Sequence, residues 1–224
     1  MRALVLLPLL AAALAGCAAK PARPAAAEAS STMSWRSLAT PDDRKRLRDW
    51  RTAWVAALAK AKASNPNDVA AEGDLLEPDA APLDEVAPPP GDYRCRVVKL
   101  GSQEAGMPDF VAYPAFTCRI GPGAGAAAAA AAPSGPGDAG AIDFVKAEGS
   151  QRPVGRLFPD TRRRMAFLGT LQLGDERGTL RYGHDQARDM AGLLQRIGAR
   201  RWRLVLPYPH FESTLDLVEL VPAG

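Results

Sequence analysis

The 224-residue chain has only two histidines and three cysteines, and each scarcity excludes a chemistry. Two histidines without ligand spacing give no zinc site of the usual Cys/His kind. No metal and no other cofactor is therefore expected. The cysteines, Cys17, Cys95 and Cys118, form no C-x-x-C, which excludes a thioredoxin-like redox pair. There is no G-x-S-x-G nucleophile elbow. No βαβ alternation appears, which argues against a doubly wound sheet. Apolar runs are short as well. The uncharged stretch from Ala3 to Ala19 is 17 residues long and is broken by Pro8, short for a membrane-spanning helix.

That stretch reads instead as an export signal, with Arg2 as its charged start and an apolar run behind it. Ala11, Ala13 and Ala15 supply an ordinary small-residue cleavage pattern. "LAGC" at 14–17 resembles the bacterial lipobox more closely. The resemblance implies cleavage after residue 16 and lipid on Cys17, with two or more acyl chains giving stable anchoring. Ala18 is not the aspartate of inner-membrane retention, so the sorting rule implies the periplasmic face of the outer membrane. Residues 17–34, rich in Ala, Pro and Ser, follow as a flexible tether.

With Cys17 lipidated, Cys95 and Cys118 remain, and an oxidising compartment favours pairing them. "YRCRVVKL" (93–100) and "YPAFTCRI" (113–120) are rich in aromatic and β-branched residues and read as strands. A symmetric hairpin sets Leu100 against Tyr113 and Cys95 against Cys118, a geometry that suits a disulfide. Pro114 fits only an edge or a bulge.

Residues 35–62 predict one amphipathic helix. Thr40 is its N-cap, Pro41 its first residue, and Asp42 and Asp43 complement the positive helix end. Leu47, Trp50, Trp54, Ala57, Leu58 and Ala61 share a face that docks on a core. Residues 63–92 carry eight acidic residues, no Lys or Arg and many prolines. They predict an extended acidic connector, either a solvated spacer or a segment laid on a basic surface of the same protein, for which the helix region 35–62 supplies eight Lys/Arg against three Asp/Glu. Residues 121–141, rich in Ala and Gly, read as a disordered loop within the domain 93–222. From 142 onward, "IDFVKAE", "VGRLF", "MAFLGTLQL", "TLRY", "RWRLVL" and "LDLVELV" are short strands between turn signals, while 187–195 is open to helix or strand. The fold expected is mainly β, a small antiparallel barrel or sandwich of about eight strands preceded by one amphipathic helix.

Three constellations bear on chemistry. His210, Glu212 and Ser213 crowd one loop, but triads are built across a fold, not along a sequence. His184, Asp185 and Asp189 form a weak metal pattern, better read as a polar turn. Between 151 and 203 lie twelve arginines, no lysine and five acidic residues. Arg162, Arg163, Arg164, Arg200, Arg201 and Arg203 are therefore candidates for an anion or partner surface, although an arginine-rich solvated face explains them too. No catalytic residue is assigned.

"WRSLATPDDRKRLRDWRTAW" (35–54), "GDYRCRVVKLGS" (91–102), "KAEGSQRPVGRLFPDTRRRMAFLGTLQLGDE" (146–176) and "RIGARRWRLVLPYPHFESTLDLVELVP" (196–222) resemble an uncharacterised family of sphingomonad-type alphaproteobacterial exported proteins, domain of unknown function 4893. The resemblance implies no activity and no site residues. The expectation is a non-enzymatic outer-membrane lipoprotein that binds a small ligand or an envelope protein and meets the membrane through its lipid anchor, with no nucleic-acid partner. A periplasmic protease inhibitor, or a hydrolase using His210 or His184, is the alternative.

Overall fold

The computed structural model describes residues 34–224, except 79–81, 123, 125–127, 129–130, 134–139, 175, 177 and 179. Cys17, the expected signal peptide and all but the last residue of the expected tether lie outside the described residues. Eight strands follow the helical N-terminal part: β1 Gly91–Ser102, β2 Phe110–Ile120, β3 Ile142–Lys146, β4 Gln151–Thr161, β5 Arg164–Leu173, β6 Asp189–Gly198, β7 Arg201–Pro207 and β8 Ser213–Pro222. Each strand pairs antiparallel with the next, and β8 pairs with β1, so they form a closed barrel in sequence order. Closure leaves no free edge. The region 187–195 is therefore strand from Asp189 onward, and of "TLRY" the described residues 180–182 are not strand: Tyr182 sits in a turn, its N–H bound to the carbonyl of Ala131.

The alternation of side chains divides the buried residues into two cores. Cys95, Cys118, Phe144, Phe167, Leu194, Trp202, Leu204 and Leu220 fill the barrel interior. Val98, Leu100, Leu168, Leu193, Val205, Leu215 and Leu217 face outward and meet the helices. Both faces of that wall are thus apolar, which explains why these strands read as runs rather than as clean alternation. Gly155 and Gly169 face each other in register, and a Cβ on Gly155 would lie 2.3 Å from the carbonyl of Leu168. The pair lets β4 and β5 coil tightly enough to close the wall.

The single helix expected over 35–62 is three: α1 Trp35–Leu38, α2 Pro41–Arg48 and α3 Trp50–Ser64. The expected cap is present. The Thr40 hydroxyl accepts the Asp43 N–H at 3.2 Å, with Pro41 in the first turn. One break falls at Ala39–Thr40 and the other at Asp49, the C-cap of α2 and N-cap of α3. Trp54, Ala57 and Ala61 of α3 are fully buried against the barrel, and Trp50 meets Trp54 edge-on at 5.9 Å.

The acidic connector is not simply extended. Pro66 opens α4 (Pro66–Ala71), a 3-10 turn follows at Gly73–Leu75, and residues 82–90 form neither helix nor strand. The basic residues that hold it come mainly from the barrel and not from the helix region 35–62. Arg96 pairs with Glu72, Arg162 and Arg163 with Asp84, and buried Arg203 donates to the carbonyls of Asp74, Leu75 and Glu77.

The disulfide Cys95–Cys118 is present, with Cα atoms 5.8 Å apart. The expected register is corrected. Cys95 faces Phe116 and Tyr93 faces Cys118, so the bond joins a diagonal pair. A bulge moves the register: Arg96 faces Ala115 and Val98 faces Ala112, which places Pro114 in the irregular stretch where its missing N–H costs no ladder bond. The loop 121–141 also differs from expectation in its described part. Ala128 and Ala131 are fully buried against Val154, because small side chains fit the outer wall there.

Candidate functional site

The barrel has unlike ends. At one end the segment 82–90 crosses the opening. Trp202 donates its indole N–H to the carbonyl of Val86 at 2.8 Å, and the Tyr93 hydroxyl donates to the carbonyl of Pro89 at 2.6 Å. Burial pushes the Tyr93 phenol up to about 12, so it remains a donor. The other end opens between the β1–β2, β3–β4, β5–β6 and β7–β8 connections, into a cavity of about 100 Å³. Val97, Phe116, Leu171, Met190, Leu206 and Val218 give it apolar walls.

Inward positions near this mouth carry charges where the phase demands apolar residues. Tyr93, Cys95 and Val97 point inward along β1, and Lys99 is the next in phase. Leu220 and Val218 point inward along β8, and Asp216 is next. Ile142 and Phe144 lead to Lys146 on β3. Lys99 and Asp216 are cross-strand partners, Nζ to Oδ2 3.8 Å. Lys99 also donates to Gln151 Oε1 and Glu212 Oε2, each at 2.7 Å, and Gln151 Nε2 donates to Glu212 Oε1 at 2.9 Å. Burial pushes the Asp216 carboxyl up to about 6, against the pull of Lys99 and of the Ser213 hydroxyl that donates to it.

Lys146 differs from Lys99. It is 3% exposed and forms no ion pair among the described residues. Its ammonium donates to the carbonyls of Gln151, at 3.1 Å, and Glu148, and lies 3.8 Å from the centre of the Phe116 ring. Burial, and then the nearby Arg152, push it down to about 8. Asp189, also buried, is pushed up to about 6 by burial, although the Gly183 N–H bound to its Oδ1 opposes this. Its Oδ2 has no hydrogen-bond partner among the described residues. Tyr208 and Glu212, at the two ends of the β7–β8 loop, both have left-handed backbones, φ 48° and 68°. Non-glycine residues adopt that region at a cost, and such strain concentrates at functional sites.

The residues singled out from the sequence fall elsewhere or act differently. His210 lines the mouth, and burial, then Arg46, lower its pKa. It makes no triad: Ser213 is committed to Asp216 and Glu212 to Lys99. His184 is exposed in a turn, while the Asp185 side chain caps the Ala187 N–H at 3.0 Å. Among the described residues no three His, Cys, Asp or Glu side chains converge to hold a metal ion. Each of the six arginines already has a partner within the protein. Arg162 and Arg163 share Asp84, Arg164 holds Asp160, Arg201 holds Glu219 at 2.6 Å, and Arg200 reaches the carbonyl of Gly224. Arg203 is fully buried, with Trp54 4.7 Å from its guanidinium and Gln195 accepting from it at 2.8 Å.

A model of one family matches residues 35–220, which spans the helices and nearly the whole barrel. The chain belongs to the DUF4893 family. That family is described as a domain of unknown function. No curated protein and no solved structure matches the chain. The DUF4893 barrel therefore has to be interpreted from its own geometry, and its open mouth is where buried charge collects.

Proposed function

We propose that this DUF4893 protein is a lipid-anchored envelope protein whose barrel mouth binds a small ligand with an apolar body and one anionic head. The observation that carries the ligand is Lys146, a buried cation with no carboxylate partner among the described residues, at the edge of an apolar cavity. Removing an ammonium from water is costly unless a counter-charge is present. A ligand carboxylate or phosphate offers that counter-charge, while Phe116, Met190, Leu206 and their neighbours take its apolar part. Phe144, Phe167 and Leu204 already fill the interior beyond, so the ligand is short. Exposed Met107, Tyr113 and Phe211 lie at this end and give it an apolar approach.

The anchoring rests on "LAGC" and the charged, then apolar, residues that precede it. Among the described residues no helix is long and apolar enough to cross a membrane. Native mass spectrometry of the full chain, released gently from its own membrane, tests both parts. The expected spectrum has added lipid mass on Cys17 and a second, dissociable small mass that Lys146→Met loses. A chain that carries no small mass, or carries it equally in the variant, overturns the ligand site. An unmodified Cys17 overturns the anchor.

A further inference from the structure

A second charged site lies on the outer wall, where α1 and α2 meet β4 and β5. Arg36, Arg44, Arg48 and Arg164 line one groove there, together with the rings of Trp35 and Trp50. It shares no lining residue with the barrel mouth. Arg36, Arg44 and Arg48 lie within thirteen residues of one another, and only Arg164 joins them from a distant strand.

The local carboxylate is already used. Asp160 accepts the Trp35 indole N–H at 2.9 Å and pairs with Arg36 at 2.8 Å and Arg164 at 2.6 Å. Burial pushes the Asp160 carboxyl up, but these three donors outweigh it and hold the group below its ordinary value, so it stays ionised. Two guanidiniums on one carboxylate leave one positive charge. Arg44 adds a second, since it donates to the carbonyls of Arg36, at 3.1 Å, and Ala39. Arg48, exposed and in no ion pair among the described residues, adds a third. Arg36 stacks 4.4 Å over the Trp35 ring, which orients its fork. Several planar donor forks around one groove suit an anion with three or more acceptor oxygens, more than a carboxylate has.

We propose that this groove binds a phosphoryl anion, carried either by a phospholipid headgroup or by a soluble phosphate ester. Calorimetric titration of the Cys17→Ala chain, which carries no acyl anchor, with pyrophosphate at low salt tests it, beside co-sedimentation of the same chain with phosphatidylglycerol vesicles. Binding of pyrophosphate identifies the soluble form, and binding of the vesicles alone identifies the headgroup. In either case Arg48→Glu weakens binding about tenfold or more, as loss of a charge-assisted contact and addition of a like charge require. Lys146→Met leaves it unchanged. Arg48 is exposed, so its variant keeps the fold even where Arg44→Gln does not. Failure of both probes to bind at low salt overturns the site. So does binding that survives Arg48→Glu, or binding that Lys146→Met abolishes.

Discussion

The two ends of the barrel are built from the same eight strands, yet they treat buried polarity in opposite ways. At the covered end, Trp202 holds the carbonyl of Val86 and Tyr93 holds that of Pro89, so both buried donors have a fixed acceptor. Aromatic edges meet there, Tyr93 against Trp202 at 6.1 Å, and the disulfide lies alongside. At the open end, Lys146 has only carbonyls and a ring, and Asp216 and Asp189 sit well above their ordinary pKa. One end satisfies its polar groups and stabilises the fold. The other leaves them in unfavourable protonation balance and gives up stability, the usual condition of a binding site.

The sharpest way to break this contrast is at the covered end. Trp202→Ala should cost about 3–5 kcal/mol, read by urea unfolding, because it opens a cavity in the inner core and strands the Val86 carbonyl. Replacing Cys95 and Cys118 with alanine should cost about 3 kcal/mol by the loop-entropy account, measured in the same way. A loss below about 1 kcal/mol in both would show that the covered end is not the stabilising half.

At the open end the sign reverses. Lys146→Met should stabilise the protein at pH 7, by about 1–3 kcal/mol. The folded ammonium titrates near 8 against 10.5 in the ordinary case. Its charged form is therefore disfavoured by folding, and the gain is full below pH 8 and vanishes as pH rises toward 10.5. Urea unfolding at pH 7 and again near pH 10 reads the difference. Asp216→Asn should also stabilise at pH 7, by about 1–2 kcal/mol. Because the folded carboxyl is raised to about 6, its stability contribution is present below the ordinary value of 3.8 and lost as pH rises through 6. The difference between wild type and variant should then shrink toward zero near the ordinary value of 3.8, followed by thermal unfolding across that range. The smallest effect belongs to Arg162→Ala with Arg163→Ala. Their pairs with Asp84 are exposed on the rim of the covered end, and the melting temperature should not move measurably.

Parts of this architecture are legible in the residues alone. The Thr40 cap, the strand runs and the pairing of Cys95 with Cys118 depend on local chemistry or on a cysteine count. The hairpin register is not legible, because β2 begins at Phe110, inside the expected loop, and pairs it with Leu100; Pro114 signals a bulge but not this start. Thr40 and Pro41 mark the first break in the helical region, but its apolar face continues across Asp49, and only packing shows that second break. The charged mouth leaves a signal that is hard to use. Lys99, Asp216 and Lys146 each fall in phase with the inward residues of their strands, a pattern visible only once the inner face of each strand is known. His210 does lie at the mouth, but as a lining residue and not as part of a triad.

By itself the sequence determined that the domain is β-rich, that it starts with a capped helix, and that its two internal cysteines pair. Those follow from side-chain periodicity, caps and redox chemistry, all of short range. Tertiary structure alone decided closure into a barrel, the covering of one end by residues 82–90, and the arrival of Arg164 beside Arg36, Arg44 and Arg48 in one groove. These depend on which faces meet across long separations, and that is settled by packing rather than by neighbouring residues.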